Sequence, residues 1–356
     1  MDKINVLVVD DAAFMRRAVS EIFESDPEIN VVGTAVNGKD ALEKIPRLKP
    51  DVITLDIDMP VMDGLTAVRN LMIKSPVPVV ILSSMFSDGA ITFEALRLGV
   101  VDFIPKPSGA ISEDIDRSRN HIINRVKLAC AVNLPNIRRV RVQKTFEAGI
   151  TILQKKSLPP RYIVLLGTTL GGPNTIIRLL SGLDPDIPAS LVVVKEIAPD
   201  ILVEFVKEFN KFVPWTIRVA EDGIPLEQST CYIGSNTNAL SIESDTSGNP
   251  VIKCGARVKN PLDLLFSSAA EVFEQNTIGV LLTGTGTDGA EGLAVTKAFS
   301  GVTIAQETDC CIYPNLTDNA ISQGTVDIIK NEKDLCHTIE MVMGHCDQEA
   351  IHDHHL

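Results

Sequence analysis

Two α/β domains in series, each built on a doubly wound parallel sheet, are the fold class this sequence predicts. Three observations carry the prediction. Short apolar runs alternate with stretches of helical spacing from Ile4 to about residue 130, and the alternation resumes at Arg161. Between them the pattern lapses into Pro135, the basic run Arg138, Arg139, Arg141, Lys144, Lys155 and Lys156, and the pair Pro159-Pro160, which reads as a linker. Finally, 356 residues are too many for one ordinary core. The expected limits are 1–130 for the first domain, 131–160 for the linker, 161–345 for the second domain and 346–356 for a flexible tail.

Composition narrows the function classes. A formal net charge of -13 disfavours a general nucleic-acid binder, because phosphate binding needs clustered Lys and Arg. The glycine turns and the lack of a helix-turn-helix signature disfavour a DNA-binding effector. No apolar run approaches the roughly 18 residues of a membrane span, so no membrane insertion is expected. The opening MDKINVLVVDD carries no signal-peptide pattern. Seven scattered cysteines read as reduced thiols. The expected location is cytoplasmic.

In the first domain the strand candidates are 4–9, 30–35, 51–56, 78–83 and 101–106, with helix candidates at 12–25, 38–48 and 63–73 between them. Functional groups of such sheets gather at the C-terminal ends of the strands. Asp10 and Asp11 end the first candidate, Asp56 the third, Ser83 the fourth and Lys106 the fifth. Acidic groups at strand ends are common and usually solvated, but clustered carboxylates repel one another unless they share a cation, and hard oxygen donors suit Mg²⁺. Carboxylates, a lysine and a hydroxyl on one rim form a site for phosphoryl transfer to an aspartate.

VLVVDD, LDIDMPVMDG, LSS and DFIPKP resemble the signatures of two-component receiver domains, whose fold is flavodoxin-like. The resemblance implies that Asp56 is the phosphate acceptor and that Asp10 and Asp11 help it hold Mg²⁺. It also implies that Ser83, Phe103 and Lys106 are the switch residues. A new dianion would recruit Ser83 and Lys106 and let Phe103 turn inward.

The second domain is predicted from YIVLLG, LVVVKE, TIRVAED, CYIGSN, TIGVLL, VTIAQE and TVDIIK as six or seven mostly parallel strands. A β-hairpin, LSIES and PVIKC around DTSGN, is inserted. The run Tyr162–Gly172, YIVLLGTTLGG, is a buried strand feeding a glycine turn and a helix, the place where such folds put reactive groups.

GTTLGGP, NPLDLLFSSAA, LLTGTGTDGAEGL and TIAQE resemble the catalytic domain of CheB methylesterases, and the order of receiver, linker and esterase matches as well. The family removes methyl esters from glutamates of methyl-accepting chemoreceptors, and some members deamidate glutamines there. Its receiver is phosphorylated by a CheA-type histidine kinase. Its Ser–His–Asp triad falls here on Thr169, Glu196 and Asp288. Thr285 stands where the family has Met, and Asn238 where a further His is typical. The six histidines are residues 121, 337, 345, 352, 354 and 355, so no imidazole lies between 122 and 336.

An imidazole exchanges protons near neutral pH, whereas a glutamate is a weaker base by about two pKa units. Threonine's extra methyl crowds a turn shaped for serine. Asp288, without an imidazole to orient, is expected to cap the helix that follows it. Three readings stay open: an esterase or amidase with an altered triad, a regulator that binds without catalysis, and an α/β domain with other chemistry. No cofactor is expected in the second domain.

Overall fold

The computed structural model describes residues 3–84, 88–106, 113–137, 158–171 and 173–352. The chain divides into two compact units, residues 1–139 with 171–174 and residues 140–170 with 175–356. The basic run from Arg138 to Lys156, the possible element around 146–154, His354 and His355 lie outside the described residues.

The first unit carries strands β1 (Ile4–Val9), β2 (Ile29–Ala35), β3 (Val52–Leu55), β4 (Val79–Ser83) and β5 (Asp102–Pro105). Between them run helices α1 (Ala13–Glu24), α2 (Gly38–Leu48), α3 (Gly64–Lys74) and α4 (Gly89–Leu98), and α5 (Glu113–Cys130) follows β5. The five strands are parallel in the order β2-β1-β3-β4-β5. The order reverses between β1 and β3, which opens a crevice at their carboxyl ends. Leu7, Val9, Ile53, Leu55, Ile81 and Phe103 are buried with Val68, Leu71 and Ala95 from the helices. Each large apolar side chain so buried contributes about 1.5–3 kcal/mol. α2, α3 and α4 start where the sequence supplies side-chain caps. Asn37 accepts the Asp40 amide at 2.9 Å, and Asp63 accepts the Thr66 amide at 2.8 Å. α4 stops at Gly99, in the left-handed region at φ 105°.

The second unit carries β6 (Tyr162–Thr168), β7 (Ala189–Lys195), β8 (Thr216–Val219), β9 (Thr230–Ser235), β10 (Ala239–Ser244), β11 (Pro250–Gly255), β12 (Thr277–Leu281), β13 (Val302–Gln306) and β14 (Ile328–Lys330). Its helices are α6 (Asn174–Gly182), α7 (Leu202–Phe209), α8 (Pro261–Phe273), α9 (Ala290–Ala298), α10 (Asn315–Ser322) and α11 (Leu335–His352). Seven strands form one parallel sheet, β14-β13-β12-β6-β7-β9-β8, and β10-β11 form a separate antiparallel hairpin. β6 and β7 are buried along their whole lengths, as near-continuous apolar runs in a parallel sheet require. The hairpin turns where Asp245 Oδ1 accepts the amides of Ser247 and Asn249 at 2.7 and 2.9 Å, with Gly248 at φ 82°. α11 continues as helix to His352, past the boundary at 346 where a tail is expected.

Candidate functional site

Two rims carry chemistry, one on each sheet. On the first, Asp10 and Asp56 are buried at 4% and 3% exposure, and Asp11 is exposed. One carboxylate oxygen from each of the three lies within 4.8 Å of the others. Lys106 follows β5 and places Nζ 2.7 Å from Asp10 Oδ2 and 2.8 Å from Asp56 Oδ2. Its main-chain amide also donates to the Ser83 carbonyl at 3.2 Å, which joins the ends of β4 and β5. Ser83 and Phe103 are buried.

Burial pushes the Asp56 carboxyl above the usual carboxylate range. The hydrogen bond and charge of Lys106 and the Ile57 amide oppose that push, while the Asp10 charge adds to it. Burial pulls the Lys106 ammonium down, but its bonds and charges with Asp10 and Asp56 outweigh this and leave it above its ordinary value. The rim therefore carries more negative charge than one lysine balances. Three hard oxygen donors so close together fit a divalent cation such as Mg²⁺.

The loop after Asp56 is held in place at Gly64, whose amide donates to the Ile57 carbonyl at 2.8 Å. A Cβ on Gly64 would lie 2.2 Å from the Asp56 carbonyl oxygen and 2.8 Å from Ile57 Cα, and neither backbone atom can rotate away. Gly64→Ala is expected to destabilise the first unit by about 3 kcal/mol. Denaturant unfolding of the full chain followed by circular dichroism checks this, and an unshifted first transition would contradict it.

On the second sheet the order reverses between β12 and β6, and the turn after β6 opens onto that crevice. Thr168 pairs with Lys195 at the end of the β6–β7 ladder, so Thr169 and Glu196 each stand one residue beyond it, both half-buried. The Thr169 hydroxyl is committed across the crevice. It donates to the Thr285 carbonyl at 3.1 Å and accepts the Thr285 amide at 2.7 Å. The Thr168 hydroxyl donates to the Thr283 carbonyl at 2.7 Å, and the Thr283 amide donates to Gln306 Oε1 at 3.0 Å. Gly284 lets this approach happen, since a Cβ there would fall 2.6 Å from Thr169 Oγ1.

Asp288 ends the same loop, and its carboxylate turns to α8. Oδ2 accepts the Leu262 amide at 2.9 Å and Oδ1 the Asp263 amide at 3.0 Å. The expectation that Asp288 caps the helix after it is corrected here. The N-terminus of that helix, α9, is served from α8 instead: Asp263 Oδ1 accepts the amides of Gly289 and Gly292, both at 2.8 Å. Each carboxylate thus caps the other's helix. Burial pushes the Asp288 carboxyl up to about 6, against the pull of the two amides and with the help of the Asp263 charge.

Three residues with structural parts in these rims were not singled out from the sequence. Lys195 is 3% exposed and donates to the Thr169 carbonyl at 3.3 Å. Asp263 lies in NPLDLL, where an acidic residue in the first turn of a helix was the available signal. Arg16 lies one turn into α1 and reaches back to the main chain of Asp10 and Asp11.

Comparison with known proteins agrees with this architecture. Residues 164–339 match the family model described as CheB methylesterase, and residues 6–113 match the response regulator receiver domain. A protein of Pyrococcus abyssi named protein-glutamate methylesterase/protein-glutamine glutaminase is 35% identical, covering 96% of this chain and 95% of its own length. A protein of the same name from Caldanaerobacter subterraneus is 34% identical, covering 92% of this chain and 93% of its own. The solved response regulator domain of Thermotoga maritima CheB is 46% identical over 37% of this chain and 98% of its own, with a TM-score of 0.34. No helix among the described residues is long and apolar enough to cross a membrane. Two parallel-sheet α/β domains in this order, matched along nearly the whole chain, place the protein in the CheB family of chemotaxis response regulators, with a receiver domain followed by a methylesterase-type domain.

Proposed function

We propose that this chain is a phosphorylation-controlled regulator of chemoreceptors whose methylesterase-type domain binds without turning over esters at the family's rate. The observation that carries the proposal is the Thr169 hydroxyl, which is engaged as donor and acceptor by Thr285. A nucleophile must give its proton to a base, and here the proton is directed at a carbonyl that cannot accept it as one. Thr169, Glu196 and Asp288 hold the triad positions, but an oxygen serving as a loop latch, a carboxylate in place of imidazole and an acid turned to α8 supply no proton relay.

The receiver, about residues 1–130, works in this reading as an aspartyl phosphorylation site. A carboxylate oxygen of Asp56 attacks the phosphorus of a CheA-type kinase phosphohistidine, the P–N bond breaks, and an acyl phosphate forms. Asp10, Asp11 and Asp56 would hold Mg²⁺, which offsets the charge of the phosphoryl oxygens. Lys106 then moves from the carboxylates to the phosphoryl group, Ser83 donates its hydroxyl to it, and Phe103 settles against the vacated space. The partner of the second domain is the glutamate- or glutamine-bearing segment of a methyl-accepting chemoreceptor, and the setting is the cytoplasm.

Phosphoryl uptake tests the receiver half. Asp56→Asn is expected to abolish incorporation from labelled acetyl phosphate, and uptake equal to wild type would remove Asp56 as acceptor. Methanol release from methylated receptor tests the other half. Release that rises with phosphorylation and disappears in Thr169→Ala would instead establish an esterase with an altered triad.

A further inference from the structure

We infer that Arg16 is a positioning residue for the acid pocket, setting the two carboxylates of the β1–α1 turn for a divalent cation. The inference rests on the receiver reading above and extends it to a residue that no part of that reading uses.

Arg16 Nη1 donates to the Asp10 carbonyl at 2.8 Å and to the Asp11 carbonyl at 2.9 Å. One terminal nitrogen thus holds two successive main-chain oxygens, which constrains the peptide orientation of the residues that carry the acids. On its strand side the turn is tied down by the Asp10 amide, which donates to the Ala35 carbonyl at 3.2 Å; on its helix side a side-chain cap is missing. The N-cap of α1 is Ala12, which has no side chain able to cap, and no acidic residue occupies the helix's first turn. Asp10 itself fills part of that gap, since Oδ1 accepts the Ala12 amide at 2.9 Å.

The choice of acceptor separates Arg16 from Lys106. Lys106 binds carboxylate oxygens of Asp10 and Asp56, the same atoms a cation needs, so it competes with a metal. Arg16 binds carbonyls. It offsets the repulsion among three acids while leaving their carboxylates available. It also stays in place whichever partner the carboxylates take, as an outer partner of a metal site must.

Charge and position make opposite predictions for its removal. If Arg16 acted only as a nearby positive charge, losing it would tighten Mg²⁺ binding. If it positions the acids, losing it weakens binding despite the lost repulsion. Neighbouring Arg17 provides the control: it is exposed and pairs with Glu21 at 2.8 Å, so its removal costs a charge but no main-chain bond to the turn.

Titration calorimetry of the full chain with MgCl₂ decides the matter. Arg16→Met is expected to weaken Mg²⁺ binding by tenfold or more, Arg16→Lys to weaken it less, and Arg17→Met to leave it unchanged or slightly tighter. Without metal, the Ala12 amide should exchange faster in Arg16→Met than in wild type. Binding by Arg16→Met as tight as wild type or tighter would overturn the inference; if that variant does not fold, unchanged binding by Arg16→Lys would do so. Absence of saturable Mg²⁺ binding by wild type would instead overturn the reading of the acid pocket, and this inference with it.

Discussion

Thr169→Ser combined with Glu196→His is expected to raise hydrolysis of a methylated receptor segment by about 10²–10⁴-fold over the native chain, the range a positioned general base contributes. The physical case starts from the hydroxyl. Thr169 has a branched Cβ, which narrows its rotamers, and both hydrogen-bonding roles of its oxygen are spent on Thr285. A serine loses the methyl and can turn its hydroxyl away from the loop. Histidine at 196 then supplies the base from the adjacent strand, one residue beyond the Thr168–Lys195 pair that ends the ladder. Neither change suffices alone, because a freed serine still has a carboxylate at the base position and a histidine still has a latched threonine at the nucleophile position; each single variant should stay within about tenfold of native. Methanol release with and without acetyl phosphate is the measurement. If native protein already releases methanol as fast as the double variant, the latch does not silence the site and the proposed function fails.

The contrast between the two rims follows from where their chemistry sits. Asp10, Asp56 and Lys106 lie at the carboxyl ends of β1, β3 and β5 in one parallel sheet, and alternation alone places such residues on one edge of it. Their meeting at 2.7 and 2.8 Å needs no further information. The positions of Thr169 and Glu196 were legible for the same reason. The direction of the Thr169 hydroxyl was not, because it depends on how a loop 116 residues away closes over the crevice. Asp288 shows the same limit. Its local setting, an Asp followed by Gly and a helix, points to a cap for that helix. Only the packing of α8 against α9, with Gly292 leaving room where a Cβ would come within 2.8 Å of Asp263 Cα, brings the other N-terminus nearer. Arg16 was invisible because its partners are carbonyls, which a sequence does not distinguish from one position to the next.

The crossed caps of Asp263 and Asp288 should make the second unit less stable as pH rises from 5 to 7.5. Burial raises the Asp288 carboxyl to about 6 in the folded chain, against about 3.9 for an unperturbed aspartate. Between those values the folded state holds a proton that the unfolded state has released. By linkage this group's stabilisation is present at low pH and is lost as pH climbs through the folded value. A shift of about two units corresponds to about 3 kcal/mol at most, and solvent screening at a half-buried site reduces this to about 1–2 kcal/mol. Protonated, Asp288 can still accept an α8 amide while its hydroxyl donates toward the Asp263 carboxylate; ionised, two like charges share the joint between α8 and α9. The single tryptophan, Trp215, is 3% exposed in this unit and reports its unfolding. Comparing wild type with Asp288→Asn at each pH cancels the other titrating groups. The asparagine loses one of its two amide acceptors, a penalty that does not change with pH. Wild type should therefore lose about 1–2 kcal/mol relative to Asp288→Asn between about pH 3.9 and 7.5, about half of it above pH 5, and Asp263→Asn, which removes the neighbouring charge, should shift that loss to lower pH. A difference between wild type and Asp288→Asn that stays flat across the range would mean that burial does not raise the Asp288 carboxyl at this joint.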